Sequence, residues 1–273
     1  MTDKGLVDFL QQHFEAHQRN EDGLSHSAAE RAASMMKQIS VLTLNDGVSN
    51  LSIQQQGSAA TPGDTDLTLI LLRYVDNAMA VEVTSESRVL VERTLDLVAA
   101  LAAASSEGTA EAVAARAIEF STVLLERVRS QACQLMGFMG YHLAGMEYEW
   151  ANEWFEALRE SIMPRFNDKS QSVRNSAIRA SAGFFEGGND SEDLLEMILW
   201  SLWHDPSVSN RVAAVGVLPV TKDTIEHIIA RVRDIKEKVR HQALEVLITK
   251  VDAISDLSEE HFAEIVRCGL NVR

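Results

Sequence analysis

Apolar residues recur along this chain at intervals of three and four, the spacing that gathers them on one face of an α-helix. Leu6, Phe9, Leu10 and Phe14 open the pattern, and Ala28, Ala32, Met35 and Met36 resume it after a break at Asp22-Gly23. Residues 1–44 are therefore expected to form N-terminal helices. The next stretch, NDGVSNLSIQQQGSAATPGD at 45–64, loses the periodicity and fills with Gly, Ser, Gln and Pro, which predicts a long flexible loop. From 65 to 273 the sequence reads as helix after helix, with turns expected at Ser105–Gly108, Ala144–Met146, Asn167–Ser170, Gly187–Ser191, His204–Ser207 and Lys250–Asp256. No alternating strand pattern of useful length interrupts them. The predicted class is all-α.

An internal repeat underlies the helices. RFNDKSQSVRNSAI from Arg165 aligns with RVRDIKEKVRHQAL from Arg231: Asp168 matches Asp234, Val173-Arg174 matches Val239-Arg240, and Ala177 matches Ala243. Val-Arg-x-x-Ala occurs again at Val128, Arg129 and Ala132, and HDPSVSNRVAAV gives a weaker copy with Asp205 and Val208 but Ser209 in the Arg position. The Val positions 128, 173, 208 and 239 suit a unit of two antiparallel helices. Asp at the turn can cap the second helix, and Val and Ala let the partner helix approach closely. The Arg then projects along the stack toward an Asp of a neighbouring turn. Each unit leaves an apolar flank for the next to cover, and the expected product is a HEAT-repeat α-solenoid of antiparallel helix pairs.

The stretch from Thr221 to Val251 carries these residues in a form that resembles the CAP-G family, condensin complex subunit 3. Ile229, Arg231, Arg233, Asp234, Lys236, Glu237, Val239, Arg240 and Ala243 follow the family's repeat, and the segments starting at Val128, Ile162 and Leu257 agree in order. The resemblance covers about residues 65–273 and implies the N-terminal HEAT stretch of a longer protein, ending at Arg273 where another repeat is expected. It further implies a subunit that holds a segment of the kleisin subunit, acts with SMC ATPases, binds duplex DNA in mitotic chromosome condensation, and resides in the nucleus and on mitotic chromosomes with a cytoplasmic pool. Ser209 departs from the family pattern.

Charge narrows how DNA could be bound. Against 25 basic residues stand 40 acidic ones, a net −15, so the bulk field repels phosphate and any contact needs a local basic patch or a basic partner. Two stretches reverse the sign. Arg165 to Arg179 holds four basic residues and one acidic, and Arg231 to Arg240 holds five and two. Both surround the same inter-helix turn, so stacking could align Lys169, Arg174, Arg179, Arg231, Arg233, Lys236, Lys238 and Arg240 in a ridge that tracks a phosphate backbone without reading bases. The alternative makes Arg174 and Arg240 internal ladder residues and the lysines exposed turn residues. No aromatic residue interleaves with the basic ones, which argues against single-strand stacking.

Other chemistry is not found in the sequence. Phosphate-loop, nucleophile-elbow and His-Glu-x-x-His patterns are missing, so no catalytic residue, metal site or cofactor is assigned. His227 and His241 have acidic neighbours four residues away but no further ligand at metal spacing. Glu149, Glu153, Glu156 and Glu160 read as a solvated helix face, and Trp150 and Trp154 as packing residues or a peptide ledge. Cys133 and Cys268 sit in apolar helical patterns and are expected as reduced, buried thiols. The N-terminus lacks a signal-peptide pattern, and no apolar run reaches the roughly 18 residues of a membrane span. The expectation is a non-secreted protein without membrane contact, either a condensin HEAT subunit or a generic HEAT scaffold for protein partners with no DNA role.

Overall fold

A computed structural model describes residues 3–19, 28–45, 62–82, 84–185, 192–249, 263 and 265–267. The periodic apolar stretches become α1 (Asp3–Arg19), α2 (Ala28–Asn45), α3 (Pro62–Ala80), α4 (Ser85–Ala103), α5 (Glu107–Ser121), α6 (Glu126–Leu143) and α7 (Glu149–Ile162). They continue as α8 (Gln171–Ala180), α9 (Glu192–His204), α10 (Val208–Val217), α11 (Ile225–Arg231) and α12 (Glu237–Thr249). Tighter 3₁₀ turns at Met163–Asn167 and Ser181–Phe184 extend the ends of α7 and α8. Among the described residues there is no strand.

Local chemistry sets several boundaries. Thr84 caps α4 through a reciprocal pair of bonds with Ser87, satisfying amides that the first turn leaves open. Pro62 opens α3, where its missing N–H removes nothing the helix needs. The turns expected after α4, α6, α7 and α9 are present, and further breaks at 81–84, 122–125 and 218–224 carried no Gly or Asp cluster to announce them. The turns expected at Asp22-Gly23, Gly187–Ser191 and Lys250–Asp256 lie outside the described residues, as do positions 46–61 of the expected loop and Cys268.

From α3 onward the helices stack as pairs in two layers. One layer holds α3, α5, α7, α9 and α11, with α3 packing on α5, α5 on α7, and α9 on the 3₁₀ turn that follows α7; in the other, α4, α6, α8, α10 and α12 each pack on the next. The helices α1 and α2 lie against α4 at one end. Leu95, Leu97 and Leu101 of α4 and Leu135, Met136 and Met139 of α6 are fully buried between layers, as are Val173 and Ala177 of α8. The tightest joint is between α6 and the end of α8. A Cβ on Gly183 would lie 2.1 Å from the Gly137 carbonyl oxygen, and one on Gly137 would lie 2.7 Å from Ala180. Only glycine permits that backbone contact.

Candidate functional site

The repeated Asp and Arg form a ladder along the edge where the second-layer helices begin. Arg129 of α6 holds Asp168 with two bonds, Nε to Oδ2 at 2.7 Å and Nη2 to Oδ1 at 2.8 Å. Arg174 of α8 reaches Asp205 at 2.8 and 3.4 Å, and Arg211 of α10 reaches Asp234 at 3.3 Å twice. Each Asp in turn accepts the backbone N–H two residues on, from Ser170, Ser207 or Lys236. Each Arg also donates through Nη1 to the carbonyl six residues before it, at Val123, Asp168, Asp205 and, for Arg240, Asp234. One guanidinium therefore ties its own turn to the next. The Asp acts one step earlier than expected: it fastens the turn at the N-cap residue's own amide and leaves the amides of the helix's first turn alone.

The third repeat needs correction. Arg211, not Ser209, occupies the Arg position, because the Asp-to-Arg separation of six residues holds at 168–174, 205–211 and 234–240. Asn210 then replaces the usual Val, and Ala214 aligns with Ala177 and Ala243. Asn210 is fully buried, donates to Asp205 Oδ2 at 3.0 Å, and accepts from Asn175 at 3.1 Å. The apolar Val208 two residues upstream masked this register.

Burial gives the ladder its electrostatics. Desolvation alone would raise the carboxyl pKa of Asp168, but hydrogen bonds from Arg129 and the Ser170 amide hold it below the ordinary value. Asp205 behaves alike: burial opposes its charge, while Arg174, Asn210 and the Ser207 amide keep it ionised. The bond to Asp168 raises the pKa of Arg129 against the opposing effect of burial.

The expected basic residues separate into distinct environments. Arg174 is committed to the ladder and Arg240 to its own turn. Arg231 lies 3.8 Å over the ring of Trp203 and 3.4 Å from Asp234; burial lowers its pKa. Lys169, Lys236 and Lys238 are exposed at or beside the turns that the ladder joins, so they share one rim with the N-termini of α8, α10 and α12. Arg233 is exposed and engaged with a neighbour. Arg179 sits near the other end of α8, bonded to Asn175 at 3.0 Å, and faces a trough across the second layer. The eight residues thus do not form a single ridge.

The remaining sequence candidates resolve simply. Glu149, Glu153, Glu156 and Glu160 are exposed, while Trp150 and Trp154 are half-buried against the core. His227 Nδ1 lies 3.1 Å from the Trp203 indole N–H, and His241 is exposed. Cys133 is fully buried, and burial pushes its thiol pKa up to about 12. Among the described residues no His, Cys, Asp or Glu group is arranged to hold a metal ion, and no helix is long and apolar enough to cross a membrane.

Antiparallel helix pairs stacked in two layers and joined turn to turn define the class: an α-solenoid of the HEAT type. No family model matches the chain. Within that class the chain resembles condensin complex subunit 3 of Schizosaccharomyces pombe, at 26% identity over 147 residues, 54% of this chain and 16% of that protein. A crystal structure of the S. pombe condensin Cnd3–Cnd2 subcomplex matches 96% of this chain and 30% of its own, with a TM-score of 0.66 at 18% identity. A chain of the Kap95p–RanGDP structure matches 95% of this one and 33% of its own, with a TM-score of 0.55 at 15% identity. The chain therefore spans less than a third of the condensin relatives it matches.

Proposed function

We propose that the chain forms part of a condensin HEAT subunit that holds a kleisin segment and touches duplex DNA without reading its sequence. SMC ATPases elsewhere in the complex supply the energy, and the setting is the mitotic chromosome in the nucleus. The resemblance to condensin complex subunit 3 supports the assignment, and the Cnd3–Cnd2 match supports the kleisin contact. The DNA contact rests on one observation: Lys169, Lys236 and Lys238 are exposed on the rim where neighbouring helices begin. Ammonium groups and helix N-termini both attract phosphate, and neither carries base information.

The test is co-purification with a kleisin segment, followed by duplex binding at two salt concentrations. Three phosphate contacts give a slope of log K against log salt of about −2.7, so a fourfold rise in salt weakens binding about fortyfold. Lys236→Glu with Lys238→Glu would remove most of that slope while leaving kleisin binding intact. Kleisin binding with no DNA binding would favour a pure protein scaffold, the reading that the net charge of −15 supports.

A further inference from the structure

The second layer carries a trough of about 550 Å³ across α4, α6 and α8, lined by Glu92, Asp96, Phe138, Tyr141, Arg179 and the Gly137–Gly183 contact. Its depth follows from that contact. Backbones that meet without side chains leave a floor below the surrounding surface, and Phe138 and Tyr141 stand beside it. Tyr141 is 53% exposed, among the more exposed large rings of the described residues. Charge is divided between the ends. Glu92 and Asp96 lie one helical turn apart on α4, and Asp96 meets His142 Nε2 at 2.9 Å. Arg179, on α8, is exposed, uses Nε for Asn175, and lines the other end of the trough.

We infer that this trough docks an extended segment of a partner protein, with a basic residue at Glu92 and Asp96, an apolar side chain over the glycine floor beside Tyr141, and an acidic residue at Arg179. Charge complementarity selects that occupant over an apolar helix, which would bury Glu92 at one end and Arg179 at the other without a partner of opposite charge. The distance fixes the spacing. Helix axes about 8–10 Å apart put α4 and α8 about 16–20 Å from each other. At about 3.3 Å per residue, five or six residues of extended chain cross the trough. The inference rests on the reading of the solenoid as a partner-binding scaffold, but it does not depend on DNA contact.

The probe is a fluorescein-labelled peptide, Ser-Arg-Arg-Ser-Leu-Phe-Ser-Asp-Asp-Ser, followed by anisotropy against the full chain. It is expected to bind, and replacing its Leu-Phe with Ser-Ser should abolish binding. Tyr141→Ala and Glu92→Lys should each weaken it about tenfold, while Lys236→Glu should not change it. Arg179→Glu should weaken this peptide and strengthen one with arginines at both ends, a gain that unfolding cannot mimic. Absence of binding, or binding indifferent to Tyr141→Ala and Glu92→Lys, overturns the inference. A kleisin segment that co-purifies equally with those variants would overturn the groove and leave the condensin reading standing. Peptide binding at the trough without kleisin capture would do the reverse.

Discussion

Removing Asp205 tests whether the ladder holds the repeats together. Its carboxylate is almost fully enclosed, with 1% of the side chain exposed, and it accepts from Arg174, Asn210 and the Ser207 amide. Asp205→Ala strands the Arg174 charge, itself 15% exposed, and leaves two further donors without an acceptor. Breaking one side of a buried pair costs about 3–5 kcal/mol. Asp205→Asn keeps an acceptor but not the charge and should cost about 2 kcal/mol. The reference is Arg116→Ala, which breaks the open Arg116–Asp76 pair, 33% and 47% exposed, and should cost about 0.2–1 kcal/mol. Arg174→Met with Asp205→Leu should recover the part due to the stranded charge only, since Asn210 and the Ser207 amide still lose their acceptor. Urea midpoints at constant m-value give the energies. Hydrogen exchange should locate the loss at the α8–α10 joint, because solenoid stability is a sum over neighbours. If Asp205→Ala costs no more than Arg116→Ala, the ladder is decoration on an apolar stack and the reasoning fails.

Acid should loosen the same joints. Asp168 and Asp205 titrate below the ordinary 3.8 when folded, so the unfolded chain takes protons first; their stabilisation is complete above that pH and is lost as pH falls through the lower folded values. Circular dichroism against pH should show it, with a shallower slope in Asp168→Asn. Gly183→Ala should destabilise by about 3 kcal/mol, because its Cβ would meet backbone that cannot yield, whereas Gly108→Ala, with open space around it, should be near neutral in a melting scan. In a Cys268→Ser background, Cys133 should resist iodoacetamide at pH 8 until denaturant is added, since its thiol is buried and its pKa is raised to about 12.

How much was legible in the sequence depended on which feature repeats physically. Helical class and pairing followed from the apolar period, and the ladder was visible as Asp and Arg recurring at fixed separation. The third rung was misplaced because alignment was anchored on Val208, and apolar residues near a helix start are interchangeable in a way that an Asp–Arg rung is not. Counting six residues from Asp205 would have found Arg211. The basic residues divide between ladder and rim for a related reason. Sequence proximity put Arg174, Arg179 and Arg231 beside the lysines, but Arg174 is drawn to Asp205 and Arg231 to the Trp203 ring, both in other repeats, while Arg179 lies near the far end of α8. The trough was not legible because its walls come from three helices. Its trace is the small residues Gly137, Ala180 and Gly183, which read in one dimension as ordinary small-residue content.

The ladder also decides how the surface charge can be used. A rung neutralises its own Asp and Arg, so Arg129, Arg174 and Arg211 add little to the outward field of a chain at net −15. What remains toward solvent on the turn rim is mainly lysine, whose long stem can follow a backbone but cannot fork onto a base. The lysines sit at the turns before α8 and α12, two helix spacings or about 16–20 Å apart, with the turn before α10 between them. Under the proposed DNA contact, such a rim would orient a duplex and hold it weakly. A partner segment with its own basic residues, seated on the same solenoid, would have to supply most of the affinity, and the acidic end of the trough is built to receive a segment of that kind.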